Sequence, residues 1–219
     1  NMKFYTEQEM LDIAKEQGIK PKVLKEVVEL QSKAIGTFVS NHAKTVFHRD
    51  IFKQLLSDAG LTGVADDLAK HWDEPTQVNL EVAETLWNKP TVNEVKQEQH
   101  FDNVLQLILT LRPELSEATR KQLTECGYKA CTIGLGQILG KEFKQCGYTD
   151  FNKFIEDMYD SEANQLKALA TYMKTKGTTS DAQAASTAIN KAVNGLPLIA
   201  GSKDTDVGYQ ADLLRATNK

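Results

Sequence analysis

Apolar residues recur at helical spacing along almost the whole chain, in runs punctuated by residues that start and stop helices. Thr6 and Glu9 make a capping box, and Gly18 stops the helix it opens. Pro21 suits the first position of the next helix, where Val23, Leu24, Val27, Val28 and Ile35 form the stripe before Gly36. Between Gly36 and Phe47 the period changes. Thr37-Phe38-Val39, the turn-like Ser40-Asn41-His42 and Thr45-Val46-Phe47 predict a small β-hairpin over 37–47. Helical signal returns at Ile51, Phe52, Leu55 and Leu56 and ends near Gly60. Residues 61–90 read as short helices and loops. Thr91 and Glu94 open a long helix through Phe101, Val104, Leu105, Ile108 and Leu109, and Pro113 starts another. Further helices are expected at about 150–159, 161–176, 181–194 and 207–217, two of them stopped by Gly177 and Gly195. No repeat and no Pro/Ser-rich linker divides the chain, so a single mainly α domain over residues 1–219 is the economical reading.

Composition narrows the function classes. With 219 residues, 41% apolar and 26% charged, the chain is neither fibrous nor disordered. It is long enough to bury roughly 70% of its unfolded surface without disulfides. No stretch approaches the roughly 20 apolar residues of a membrane span. The first residues lack the apolar core of a signal peptide, which points to a cytoplasmic product. Cys126, Cys131 and Cys146 fit no metal spacing and read as reduced, partly buried thiols. His42, His48, His71 and His100 are scattered, so neither a metal nor a cofactor is expected. The net charge of −4 is uneven, with a small basic surplus before residue 54 and an acidic segment after it. No basic stripe exists for nucleic acid.

Two places carry candidate chemistry. Glu29 follows Val28 on the helix 21–35 and lies about 100° around from it, at the edge of the apolar stripe. A half-buried carboxyl there would have a raised pKa, as a general acid needs; the competing reading is a solvated surface glutamate. The second place is Gly134-Leu135-Gly136-Gln137-Ile138-Leu139-Gly140, which has neither G-x-G-x-x-G spacing nor a P-loop lysine. It is either a tight turn between helices, or a place where glycines admit a flexible substrate while the Gln137 amide binds it.

These residues carry a resemblance. Glu29, Phe38 and Phe47-His48-Arg49-Asp50-Ile51-Phe52 are similar to the opening of the N-acetylmuramidase family of phage endolysins, with its Glu-Ser-Gly and later Phe-Glu-Arg-His-x-Phe elements. Ile133 to Gly140 resembles the family's Trp/Tyr-Gly-x-x-Gln-Ile-Met-Gly signature. Cys146-Gly147-Tyr148, Phe154-Ile155, Met158, Ser161-Glu162 and Gln165-Leu166 each resemble a family position. Val193-Asn194-Gly195 resembles a Tyr-Asn-Gly element, with Tyr209 and Leu213 after it. The similarity covers 19–56 and 120–215. Residues 57–113 diverge from the family and read as a helical insert.

The resemblance implies a lysozyme-like helical fold. It implies a monomeric endolysin that hydrolyses the β-1,4 bond between N-acetylmuramic acid and N-acetylglucosamine in peptidoglycan. Such a protein would wait in the host cytoplasm and act on the wall after release. Glu29 would be the general acid; Gln137, Gly136, Tyr148, Asn194 and Tyr209 would line the glycan cleft. Departures matter. The family's Glu-Ser-Gly reads here Glu29-Leu30-Gln31, and its second acid is replaced by His48, with Asp50 two positions on. If that segment is extended, His48 and Asp50 point to one side; if helical, they diverge by about 200° and Asp50 cannot stand in. A hydrolase of this kind needs a second carboxylate. Without one, Glu29 would act nearly alone, as in lytic transglycosylases, or the fold would bind glycan without turnover.

Overall fold

The structure is a computed structural model that describes residues 2–37, 41, 43–66 and 112–193. Residues 67–111 of the insert expected over 57–113, the helices expected from Thr91 and over 207–217, and the candidates Asn194 and Tyr209 lie outside the described residues.

The helices start where the sequence provides caps. In α1 (Glu7–Glu16) the Thr6 hydroxyl accepts from Glu9 N–H at 3.1 Å and the Glu9 carboxylate accepts from Thr6 N–H at 3.0 Å, closing the capping box. Helix α2 (Pro21–Ser32) opens on its proline. After strand β1 (Thr45–Phe47) come α3 (Arg49–Asp58) and α4 (Glu117–Lys129). Strands β2 (Cys131–Ile133) and β3 (Ile138–Leu139) lead into a 3₁₀ segment over Gly140–Cys146. Helices α5 (Phe151–Asp160), α6 (Glu162–Thr175) and α7 (Ala182–Lys191) follow, each opened by a side-chain cap from Asp150, Ser161 or Asp181.

The β structure differs from the expected hairpin. The chain does reverse after Gly36: Thr37 and Ala43 form an antiparallel bridge, and Lys44 N–H donates to the Gly36 carbonyl at 2.8 Å. But Thr45–Phe47 pairs with β2, in the register Thr45↔Ile133, Val46↔Thr132, Phe47↔Cys131. The glycine passage is correspondingly not a helix–helix turn. It is the hairpin β2–β3, closed by a tight turn in which Gln137 N–H donates to the Gly134 carbonyl at 3.1 Å, with Gly134 at φ +73°. All of Cys131, Thr132 and Ile133 are buried, so β2 is the central strand of the antiparallel order β1-β2-β3.

The main core gathers Leu24, Val27 and Val28 of α2, Met10 and Ile13 of α1, and Leu166, Leu169 and Met173 of α6. Burying each such side chain is worth about 1.5–3 kcal/mol. A smaller core of Phe52, Leu56, Leu123 and Cys126 joins α3 to α4. The three cysteines are free and buried, and burial pushes the Cys131 and Cys146 thiols well above their ordinary range. No helix among the described residues is long and apolar enough to cross a membrane.

Candidate active site

Helix α2 sends Leu24, Val27, Val28, Gln31 and Ser32 into the interior. Glu29 sits about 200° around the helix from Gln31 and is exposed, so it does not have the half-buried place the stripe predicted for it. The polar group that α2 carries inward is Gln31, which is fully buried. Its Nε2 donates to the Gly136 carbonyl at 3.1 Å and to Asn190 Oδ1 at 3.0 Å. Its Oε1 accepts from the Ser186 hydroxyl at 2.5 Å, and Asn190 Nδ2 donates back to that hydroxyl at 3.3 Å. The three side chains thus form a closed ring in which each buried polar group is satisfied. Directly after Ser32, which ends α2, Lys33 and Ala34 both adopt left-handed backbone, at φ 57° and 60°.

Gln137 is the second buried amide. Its Nε2 donates to the carbonyls of Gly134 at 2.9 Å and Lys44 at 3.2 Å, which orients its Oε1 toward the Thr132 hydroxyl at 2.8 Å. Thr132 has one proton and gives it to Gln137. Toward His48 Nε2, at 3.3 Å, it therefore offers only a lone pair, and His48 donates. His48 is half-buried and caps α3 with extended backbone, and Asp50 is already in the first turn of that helix. The backbone takes the helical alternative from Arg49 onward, not the extended one that would have aligned His48 with Asp50.

The glycines of the signature admit the protein's own groups. A Cβ on Gly134 would lie 2.6 Å from Gln165 Cδ, one on Gly136 would lie 3.1 Å from Leu169 Cδ1, and one on Gly140 would run into the Tyr128 carbonyl. Tyr148 donates its hydroxyl to Asp157 Oδ2 at 2.7 Å and packs edge-on against Phe154. Burial, with that hydrogen bond, raises its pKa. The structure therefore brings Gln137, Gly136 and His48 into one neighbourhood around the hairpin and places Tyr148 in an aromatic cluster with Phe154. Gln31, Ser186, Asn190 and Thr132 were not anticipated. Gln31 was detectable: it lies four residues after Val27, on the apolar stripe itself. Among the described residues no group of three or more His, Cys, Asp or Glu is placed to hold a metal.

The N-acetylmuramidase family profile matches residues 20–196, and the chain belongs to that family. Membership supports a peptidoglycan hydrolase of the glycosidase type. The crystal structure of the Burkholderia AP3 phage endolysin superposes with a TM-score of 0.60 at 18% identity, covering 100% of this chain and 74% of that one. That likeness shows a shared lysozyme-like fold. No curated protein matches the sequence.

Proposed function

We propose that the protein's ligand is the glycan strand of peptidoglycan, addressed at the β-1,4 bond between N-acetylmuramic acid and N-acetylglucosamine and reached after release from the host cytoplasm. The observation that carries this reading is the buried Gln31 amide held against the Gly136 carbonyl, beside the Gln137 turn. It joins the two elements on which the family resemblance rests. Asn194 and Tyr209 belong to the proposed cleft by that resemblance.

Cleavage needs a proton donor, and two assignments predict different products. The first gives the role to Glu29 and makes the protein an N-acetylmuramidase or, with no second carboxylate from Asp50 and no base from His48, a lytic transglycosylase. Family membership supports it. The second notes that the family's Glu-Ser-Gly fits Gln31-Ser32-Lys33 better than Glu29-Leu30-Gln31. Ser32 then matches, and Lys33 adopts the left-handed backbone that a glycine takes without strain. The residue at the acid's place is then an amide, which cannot protonate a leaving oxygen, and the strand is held rather than cut. The burial pattern favours this second assignment.

Digestion of purified peptidoglycan with the wild type, Glu29→Gln and Gln31→Glu separates them, with fragments identified by mass. On the favoured reading the wild type sediments with peptidoglycan and releases nothing, whereas Gln31→Glu, which restores an acid, releases soluble glycan fragments. A wild type that cuts and a Glu29→Gln that does not would return the role to Glu29; anhydro ends would specify the transglycosylase. A wild type that neither cuts nor sediments would overturn the glycan reading altogether.

A further inference from the structure

We propose that Glu162 and Gln165 act together as positioning residues for the glycan site, fixing from behind the spacing between the loop after α2 and the β2–β3 turn. The proposal rests on the glycan reading above. The two residues stand three apart in the first turn of α6, on one face of it, and are only 3% and 2% exposed. Glu162 Oε2 accepts from Gly36 N–H and from the Thr37 hydroxyl, both at 3.1 Å, and its Oε1 accepts from Tyr5 N–H at 3.1 Å. Gln165 Nε2 donates to the Gly36 carbonyl at 3.2 Å and the Met158 carbonyl at 2.9 Å; its Oε1 accepts from Leu135 N–H at 3.0 Å.

Both backbone polar groups of Gly36 are therefore hung from a single helical turn, and so is the residue next to Gly136. Glycine is required at both loops for this purpose. A Cβ on Gly36 would run into Gln165 Oε1, and one on Gly134 would lie 2.6 Å from Gln165 Cδ. The buried contact between Gln31 and Gly136, on which the proposed glycan site is built, thus lies between two loops that share one anchor. Neither Glu162 nor Gln165 hydrogen-bonds Gln31 or Gln137, so the pair acts on the site through the loops. Holding loops in a binding geometry before the ligand arrives removes their ordering cost from the binding free energy.

The test uses two near-isosteric variants of the full chain. Glu162→Gln leaves one of the N–H groups it served facing another donor; Gln165→Glu turns an acceptor toward the Gly36 and Met158 carbonyls. Calorimetric titration with a soluble GlcNAc–MurNAc tetrasaccharide is expected to show about tenfold weaker binding for each. Amide exchange should accelerate at Gly36 and Leu135 while Val27 and Val28 in α2 keep their protection. Affinity unchanged within twofold, with faster exchange at those two amides, would overturn the proposal. If either variant fails to fold, Thr37→Val removes one hydrogen bond to Glu162 alone; a smaller loss of affinity is expected, and none would likewise overturn it. A wild type with no affinity for the tetrasaccharide would instead remove the glycan reading, and this proposal with it.

Discussion

At the scale of single residues, one helical step separates two accounts of the molecule. Glu29 draws attention because a carboxylate beside an apolar stripe is chemically expressive; Gln31 does not, because an amide is chemically quiet. Yet Gln31 follows Val27 by four and Val28 by three, so the same periodicity that built the stripe places Gln31 inside it. What one sequence could not disclose was its partners, Ser186 and Asn190, more than 150 residues away. Removing the amide should be costly. Gln31→Leu is expected to lower unfolding stability by about 2–4 kcal/mol, since it strands the Ser186 hydroxyl and Asn190 Oδ1 in the interior. Urea denaturation would show this as a lower midpoint with an unchanged slope. His48 is constrained as finely. Because Thr132 spends its proton on Gln137, neutral His48 should carry its proton on Nε2, and nitrogen-15 spectra of the imidazole should show Nδ1 unprotonated. An Nδ1–H tautomer would contradict the relay.

At the scale of elements, the helices were readable and the sheet was not. Capping residues act within three or four positions of the helix they open: Thr6 announced α1, and the starts expected at about 161 and 181 lie within a residue of those of α6 and α7, where the structure shows Ser161 and Asp181 as the caps. Strand pairing has no such locality. Thr45-Val46-Phe47 looked for a partner across the nearest turn and instead found Cys131–Ile133, a choice made by burial of the whole strand rather than by turn chemistry. The junction after α2 is where local preference was overridden most strongly. Lys33 and Ala34 hold consecutive left-handed conformations, which cost a side-chain-bearing residue roughly 1–2 kcal/mol each. Ala34→Gly and Lys33→Gly should therefore each stabilise the protein by about 0.5–1 kcal/mol after the entropy that glycine adds to the unfolded chain. Thermal denaturation would register a rise in Tm; a fall would mean that these residues pack in ways their backbone strain does not reveal.

At the scale of the whole molecule, helix α6 is the hub. Its apolar face fills the main core through Leu166, Leu169 and Met173, and its first turn holds the N-terminal segment, the loop after α2 and the β2–β3 turn. Concentrating these ties on a buried carboxylate has a pH consequence. Burial raises the pKa of Glu162 above its ordinary value, against the opposing pull of hydrogen bonds from Tyr5, Gly36 and Thr37. Between the ordinary glutamate pKa and that raised value, the folded chain binds a proton that the unfolded chain does not. The slope of stability with pH is set by the protons held in the unfolded state minus those held in the folded state, and is negative there. The contribution of Glu162 should consequently grow as pH falls from neutrality through its folded pKa, and level off below the ordinary glutamate range. Glu162→Gln cannot titrate and lacks this dependence. The difference in urea midpoint between wild type and Glu162→Gln should therefore shift in favour of the wild type on moving from about pH 7 to about pH 5. A difference that stays constant, or shifts toward the variant, would mean that the three hydrogen bonds outweigh burial and hold Glu162 ionised as strongly in the folded chain as in water.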